Sequence, residues 1–102
     1  MRYHLFYVPS SIPDGPGGIQ AYYGAVYRQA EYADAHPAWT GLWISEHHAH
    51  PYGGIVPCNV LFGAGVTART ERLRFGTGIA VLPFHRPVNL AERVAMLDQM
   101  SG

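Results

Sequence analysis

The sequence predicts an α/β fold with parallel strands, and two observations lead to that prediction. Short apolar runs alternate with longer segments whose apolar residues recur at helical spacing, in the order βαβαβα. This alternation is typical of parallel strands joined by right-handed crossovers. The second observation is that the apolar run from Leu42 to Ile44 ends abruptly in Glu46-His47-His48. Titratable groups at the carboxyl ends of parallel strands are where such folds usually place their chemistry.

The first unit is a strand over 3–8 followed by a helix over 19–35. Residues 3–8 are apolar on both faces apart from His4, as expected of a parallel strand that is covered on both sides. The prolines and glycines between Pro9 and Gly18 predict a loop. Apolar residues then recur at helical spacing until Pro37, which the predicted helix does not reach.

The second unit is a short strand over 41–46, a loop rich in proline and glycine, and a helix over 58–69. The third is a strand over 73–82 and a helix over 87–101, in which Pro87 suits the first helical position. The inward stripe predicted for that last helix consists of Leu90, Val94 and Leu97. Three such units give an open sheet with helices on one face. The other face, including Leu5, Ile44 and Ile79 or their neighbours, is expected to meet water.

Composition excludes several classes of function. Seven basic and seven acidic residues cancel, so the sequence gives no electrostatic reason to expect nucleic acid or an anionic membrane as a partner. The single cysteine, Cys58, excludes an internal disulfide framework and fits a reducing compartment. The first residues show no signal-peptide pattern, and no apolar stretch approaches the roughly 20 residues needed to span a bilayer. We therefore expect a cytoplasmic protein.

Three blocks of sequence together resemble the amino-terminal portion of the bacterial luciferase-like, flavin-dependent monooxygenases. They are Glu46-His47-His48, the run from Arg72 to Pro83 that contains Gly76-Thr77-Gly78, and the run from His85 to Glu92 with Met96 to Gly102. The resemblance implies a TIM (β/α)8 barrel, of which residues 1–102 would form about the first three βα units. On this basis the chain is an incomplete domain and is expected to be inactive by itself.

The resemblance also implies an activity for the full-length form. The family uses reduced flavin, here FMN, and O2 to oxidise a small organic substrate. It implies a homodimer, and a flavin reductase as a partner that supplies the reduced cofactor. Two alternatives stay open: a hydride-transfer oxidoreductase of the same fold that uses the deazaflavin F420, and a non-catalytic short chain that pairs with another protein.

The same resemblance assigns roles to individual residues. The catalytic acid/base beside the flavin corresponds to His47, whose imidazole side chain is of the type that titrates near neutral pH. Glu46, Gly78 and Ile79 correspond to cofactor-binding positions, with a cis peptide bond expected between Gly78 and Ile79. His48 is assigned the role of orienting the residues beside it. The phosphate-binding residues are expected beyond residue 102.

Other interpretations of these motifs are weaker. Glu46, His47, His48 and His50 form a dense cluster, but Cys58 and His85 do not add the spacing that a zinc site requires, so no metal is predicted. A polar surface loop would also account for the histidines. Gly76-Thr77-Gly78 is a poor dinucleotide fingerprint, because it lies inside a predicted strand and no third glycine follows.

Overall fold

The computed structural model describes residues 1–10, 17–50, 52 and 54–102, and its order of elements is the predicted one. Parts of both predicted loops, residues 11–16 with Pro51 and Gly53, lie outside the described residues. The elements are strand β1 (Tyr3–Tyr7), helix α1 (Gly18–Asp34), strand β2 (Trp39–Ile44), helix α2 (Asn59–Thr67), strand β3 (Arg74–Thr77), a short 3-10 helix (Leu82–Phe84) and helix α3 (Pro87–Ser101).

The three strands form one parallel sheet in the order β1-β2-β3, so the α/β prediction is confirmed. Tyr7 lies opposite Ile44, and Ile44 lies opposite Thr77. The strands therefore end level with one another, at an edge that we call the carboxyl edge of the sheet. The opposite edge, where the strands begin, is the amino edge.

The two faces of the sheet differ in what covers them. Leu42 and Ile44 are fully buried in a core that includes side chains of α1 and α2. Alternate residues of a strand point to opposite faces, and on the other face Phe6 is 60% exposed and Trp43 is 41% exposed. One bare face was expected. The expectation that Ile44 lies on it is wrong, because Ile44 faces the helices and its neighbour Trp43 faces away from them.

Strand β3 ends at Thr77, five residues before its predicted end. The backbone beyond it hydrogen-bonds mainly to side chains instead of to a strand ladder. The Gly78 amide still donates to the Ile44 carbonyl at 2.9 Å. The Ile79 carbonyl then accepts from the Asn59 side-chain amide at 2.9 Å, and the Val81 amide donates to the Glu46 carboxylate at 3.3 Å. Residues 79–81 therefore lie outside the sheet, and Leu82 begins the short 3-10 helix.

Helix α3 packs loosely on the rest of the molecule. Of its predicted inward stripe, Leu90 and Leu97 are half-buried and Val94 is exposed. An open cleft of about 550 Å³ lies between the carboxyl-terminal half of α3 and the segment from Thr70 to Phe75. This cleft is at the amino edge of the sheet, at the opposite end from Glu46, His47 and His48.

A carboxylate and a guanidinium join the elements at the amino edge, and we call this pair the Asp34–Arg72 staple. The carboxylate of Asp34 accepts from the backbone amides of Glu71, Arg72 and Leu73 at 2.9, 2.9 and 2.6 Å. The Arg72 guanidinium donates to four backbone carbonyls, those of Ala33, Asp34, His36 and Trp39. The staple therefore fixes the end of α1 to the start of β2 and the entry to β3.

None of the helices in the described part of the chain combines the length and the apolar character that crossing a membrane requires.

Candidate functional site at the carboxyl edge of the sheet

The residues that follow β2 and β3 line an open cavity at the carboxyl edge. Because Ile44 pairs with Thr77, the segments that leave the two strands lie side by side. The cavity has a volume of about 330 Å³. Its lining residues are Ser45, Glu46, His47, His48, Gly78, Ile79, Val81 and Phe84. All four predicted site residues, His47, Glu46, Gly78 and Ile79, are therefore brought together.

The carboxylate of Glu46 is the most buried charged group of this site, with a side chain that is 0% exposed. Its Oε1 atom accepts hydrogen bonds from Nε2 of His48 and Nε2 of His85, each at 2.7 Å. Its Oε2 atom accepts from the Val81 amide at 3.3 Å. Burial by itself would raise the pKa of the Glu46 carboxyl, but these three donors and the charge of His85 hold that pKa below its ordinary value. Glu46 is therefore an anion that its neighbours stabilise.

The two imidazoles that share Glu46 differ in accessibility. The side chain of His48 is 32% exposed and that of His85 is 11% exposed. The ring of His48 also meets the ring of Phe84 edge-on, with 4.9 Å between the ring centroids. His48 can therefore be reached from the cavity, whereas His85 is almost closed off.

Sequence reasoning assigned no role to His85. It used this residue as the start of a block that carries the family resemblance and rejected it as a metal ligand. Thirty-nine positions separate His85 from Glu46, and no spacing rule connects residues so far apart. The usable signal was topological: the ends of β2 and β3 meet, so polar residues after β3 lie near those after β2.

His47 lies apart from the Glu46 cluster. It is half-buried, and its backbone amide donates to the Val56 carbonyl at 3.4 Å. Its ring faces the Tyr52 ring at an interplanar angle of 72°, with 6.4 Å between centroids. Because no carboxylate among the described residues holds its imidazole, a ligand in the cavity can reach it. His50, by contrast, is exposed and hydrogen-bonds to the backbone of Tyr52.

Ser45 supplies a polar atom without a protein partner. The residue is 4% exposed, and its Oγ makes no hydrogen bond within the part of the chain that the structure describes. A buried hydroxyl without a partner is costly in a folded protein. Ser45 lines the cavity, so a bound molecule is a suitable partner for it.

The peptide bond between Gly78 and Ile79 is cis, as expected from the resemblance. A Cβ atom at position 78 would lie 2.6 Å from the Cε2 atom of Phe6, so a larger residue there would displace that exposed ring. The carbonyl of Ile79 is held by Asn59, which is itself buried at the start of α2. At this point the cavity is therefore lined by backbone atoms, and the Asn59 side chain of α2 holds them in place.

Among residues 1–10, 17–50, 52 and 54–102, the histidines, carboxylates and cysteine form no group of three or more ligands placed to hold a metal ion. Glu46, His48 and His85 are close together because they hydrogen-bond to one another.

Fold and site together define a parallel α/β protein with histidines and a carboxylate at the carboxyl edge of its sheet, the edge at which TIM-barrel enzymes carry their active sites. The sequence model of the luciferase-like monooxygenase family matches residues 1–102. The chain therefore belongs to the luciferase-like monooxygenase family.

Three relatives show the range of proteins that the chain resembles. It is 34% identical over 104 aligned residues to the oxygenase component of a flavin-dependent trigonelline monooxygenase from Acinetobacter baylyi, a match that covers 100% of this chain and 28% of that protein. It is 43% identical over 61 residues to 4-hydroxyprotoasukamycin monooxygenase from Streptomyces nodosus subsp. asukaensis, covering 60% of this chain and 16% of that protein. Identity to limonene 1,2-monooxygenase from Rhodococcus erythropolis is 39% over 62 residues, covering 59% of this chain and 15% of the relative.

Two solved structures share the fold. The monooxygenase RslO1 from Streptomyces bottropensis superposes with a TM-score of 0.88 at 34% identity, covering 99% of this chain and 30% of that one. The oxygenating constituent of 3,6-diketocamphane monooxygenase from Pseudomonas putida, solved in complex with FMN, superposes with a TM-score of 0.84 at 24% identity. This second match covers 99% of this chain and 27% of the other, and it shows the fold alone. The chain thus spans less than a third of the length of the proteins that it matches.

Proposed function

We propose that the full-length protein is a flavin-dependent monooxygenase that uses reduced FMN and O2 to oxidise a small organic substrate. One observation carries this proposal: His47, Gly78 and Ile79, to which the resemblance assigns acid/base and cofactor-binding roles, line the same cavity at the carboxyl edge. The relative from Acinetobacter baylyi, which aligns with the whole chain, is described as flavin-dependent. Nothing in the described residues favours F420 over flavin.

The residues of the cavity suit the ring system of a flavin, which combines flat apolar faces with hydrogen-bonding groups along one edge. The wall formed by Gly78 and Ile79 is backbone and aliphatic side chain, without charge. The hydroxyl of Ser45 is buried and has no partner among the described residues. This hydroxyl can therefore hydrogen-bond to the polar edge of a bound flavin ring. Reduced flavin, when bound there, supplies the electrons that activate O2.

His47 is the proposed acid/base residue. Its imidazole lines the cavity and has no carboxylate partner in the part of the chain that the structure describes, so it can exchange a proton with a ligand. Gly78 and Ile79 are the proposed cofactor-binding residues, and they would hold the ring through the uncharged wall that they form. Glu46 also lines the cavity, but both of its carboxylate oxygens are occupied by protein donors.

Further parts of the proposal concern the protein beyond this chain. Residues 1–102 form the amino-terminal part of a TIM barrel, whose later strands cover the bare face that carries Phe6 and Trp43. The phosphate-binding residues lie in those later units. The protein acts in the cytoplasm as a homodimer, and a separate reductase supplies the reduced flavin. The reductase follows from the relative that is an oxygenase component.

The direct test is flavin binding by a full-length protein that carries this sequence. Reduced FMN is titrated into the protein under anaerobic conditions, and O2 is then added while absorbance near 450 nm follows flavin oxidation. We expect saturable binding at micromolar FMN and an oxidation rate that differs from that of free reduced FMN. Absence of binding at millimolar FMN, or binding of F420 alone, would refute the proposed cofactor.

A further inference from the structure

We propose that Glu46 and His85 act as a positioning pair that fixes the His48 imidazole and the cavity wall over residues 78–81, instead of contacting the cofactor. This inference rests on the proposed function for its link to flavin. Its geometric part stands on the hydrogen bonds of Glu46 alone. It gives a role to His85, to which sequence reasoning assigned none, and it replaces direct cofactor binding by Glu46 with an indirect effect.

The first argument is the accessibility of Glu46. Its side chain is 0% exposed, and each carboxylate oxygen already accepts at least one hydrogen bond from the protein. A ligand in the cavity would have to displace His48, His85 or the Val81 amide to reach it. Hydrogen bonds to a buried charge are among the strongest in a protein, so such a displacement is unfavourable. Glu46 therefore acts through its three partners.

The second argument concerns the protonation of the two rings. Oε1 of Glu46 accepts from Nε2 of both His48 and His85, so each imidazole must carry a proton on Nε2. On a neutral His48 ring, Nδ1 is then the acceptor. Of the two rings, His48 lines the cavity and is the more exposed, so its Nδ1 atom is the one that a ligand or solvent can reach. A carboxylate that sets the tautomer of a histidine is a recurring feature of acid/base sites.

The third argument is that Glu46 connects separate segments. His48 follows β2, Val81 follows β3, and His85 lies between the 3-10 helix and α3. Residues 79–81 leave the strand ladder, and the side chains of Asn59 and Glu46 hold their backbone instead. Without the pair, the wall that carries Ile79 loses one of its two anchors. Active-site geometry is sensitive to such losses, since a displacement of about 1 Å can cost on the order of 10²-fold in rate.

The test uses three single variants of the full-length protein. His85→Phe keeps a planar ring but removes the donor to Glu46, and His85→Gln keeps an N–H donor of similar reach. His36→Phe is the matched control, because His36 is an exposed imidazole at the amino end of β2. In His85→Phe we expect flavin binding or turnover to fall by about 10²-fold. We expect His85→Gln to recover most of that loss and His36→Phe to match the wild type.

Two further measurements separate positioning from a general loss of structure. In protein labelled with 15N-histidine, long-range nitrogen–proton correlations report which ring nitrogen of His48 carries the proton. Hydrogen exchange reports the protection of the Val81 amide. We expect His85→Phe to mix the His48 tautomers and to speed exchange at Val81. If His85→Phe does not fold, Glu46→Gln, which keeps the volume but removes the charge, is expected to show both changes.

The inference is overturned if His48 stays in the Nε2–H form and Val81 keeps its protection in the variants. It is also overturned if His85→Phe and His85→Gln lose activity equally. These outcomes are distinct from a failure of the proposed function, in which the wild-type protein itself binds no flavin. In that case the tautomer and exchange measurements still decide whether Glu46 and His85 hold the cavity wall.

Discussion

Both edges of the sheet contain a carboxylate that accepts three hydrogen bonds, but the donors differ in kind. At the amino edge, Asp34 accepts from three consecutive backbone amides. At the carboxyl edge, Glu46 accepts from two imidazoles and one amide. Backbone amides are fixed by the course of the chain, whereas imidazoles are side-chain donors that can turn away. The first arrangement is a fixed structural joint, and the second places side-chain donors beside the cavity, where a ligand can meet them.

The pKa values of the two carboxyls agree with this contrast. Burial tends to raise the pKa of Asp34, but the amides of Glu71, Arg72 and Leu73 and the charge of Arg72 bring it below its ordinary value. The pKa of Glu46 is lowered against burial mainly by side-chain donors. We therefore expect substitutions at the amino edge to change stability and those at the carboxyl edge to change activity.

The largest expected effect is that of His47→Ala on turnover. A positioned acid/base residue contributes about 10²–10⁴-fold to rate, so the variant should oxidise reduced FMN and substrate slower by a factor in that range. The matched control is His50→Ala, because His50 is an exposed imidazole three positions away whose hydrogen bonds go to Tyr52. The measurement is anaerobic mixing of reduced FMN with each full-length variant, followed by addition of O2. Equal rates for His47→Ala and the wild type would remove His47 from the role.

The sequence predicted the carboxyl edge better than it predicted the course of β3. The break from apolar residues to Glu46-His47-His48 is visible in one short run, and a parallel fold places such residues at the carboxyl edge. The end of β3 at Thr77 was missed because the run from Ile79 to Leu82 is as apolar as a strand. Only the tertiary partners Asn59 and Glu46 show that its backbone does not join a ladder.

The two faces of the sheet show a second limit of sequence reasoning. Strands that are apolar on both sides do not indicate which alternate set faces the helices. Ile44 was therefore expected on the open face, where the structure has Trp43 instead. Gly76 leaves room for the Trp43 ring on this open face, because a Cβ atom at position 76 would lie 2.4 Å from Cε3 of Trp43. The Asp34–Arg72 staple could not be predicted from the sequence either, because its two residues are far apart along the chain.

The next largest effect is expected from Asp34→Asn on stability. Asparagine keeps one carbonyl oxygen but turns an NH2 group toward backbone amides that need an acceptor. We expect the free energy of unfolding of the full-length protein to fall by about 2 kcal/mol, the scale of charge-assisted hydrogen bonds. Glu31→Gln is the control, because Glu31 is an exposed acid on α1. Urea unfolding measures the loss, and flavin affinity should stay at the wild-type value. A loss of flavin binding with unchanged stability would reverse the proposed division between the two edges.

A smaller effect is expected from Arg72→Lys. The arginine guanidinium donates to the carbonyls that end α1 and begin β2. The lysine ammonium group cannot donate to all of these carbonyls at once, because its donors do not lie in the same planar arrangement. We expect a loss of about 1 kcal/mol in the free energy of unfolding, since each net hydrogen bond contributes about that much. Arg74→Lys is the control, because Arg74 is an exposed arginine at the start of β3. If both substitutions have the same effect in urea unfolding, the fan of hydrogen bonds does not stabilise the amino edge.

The smallest effect is the pH dependence of the Asp34 contribution. The folded state lowers the pKa of this carboxyl below its ordinary value of 3.8. Its stabilising effect is therefore fully present above that value and is lost as the pH falls through the lowered pKa. We expect the difference in unfolding free energy between wild type and Asp34→Asn to be constant from pH 7 to about pH 5 and to shrink below about pH 4. Glu46 is present in both proteins, so its own titration cancels in this difference. Urea unfolding at a series of pH values gives the curve, and a difference that persists at pH 2 would show that the Asp34 carboxylate is not what stabilises the amino edge.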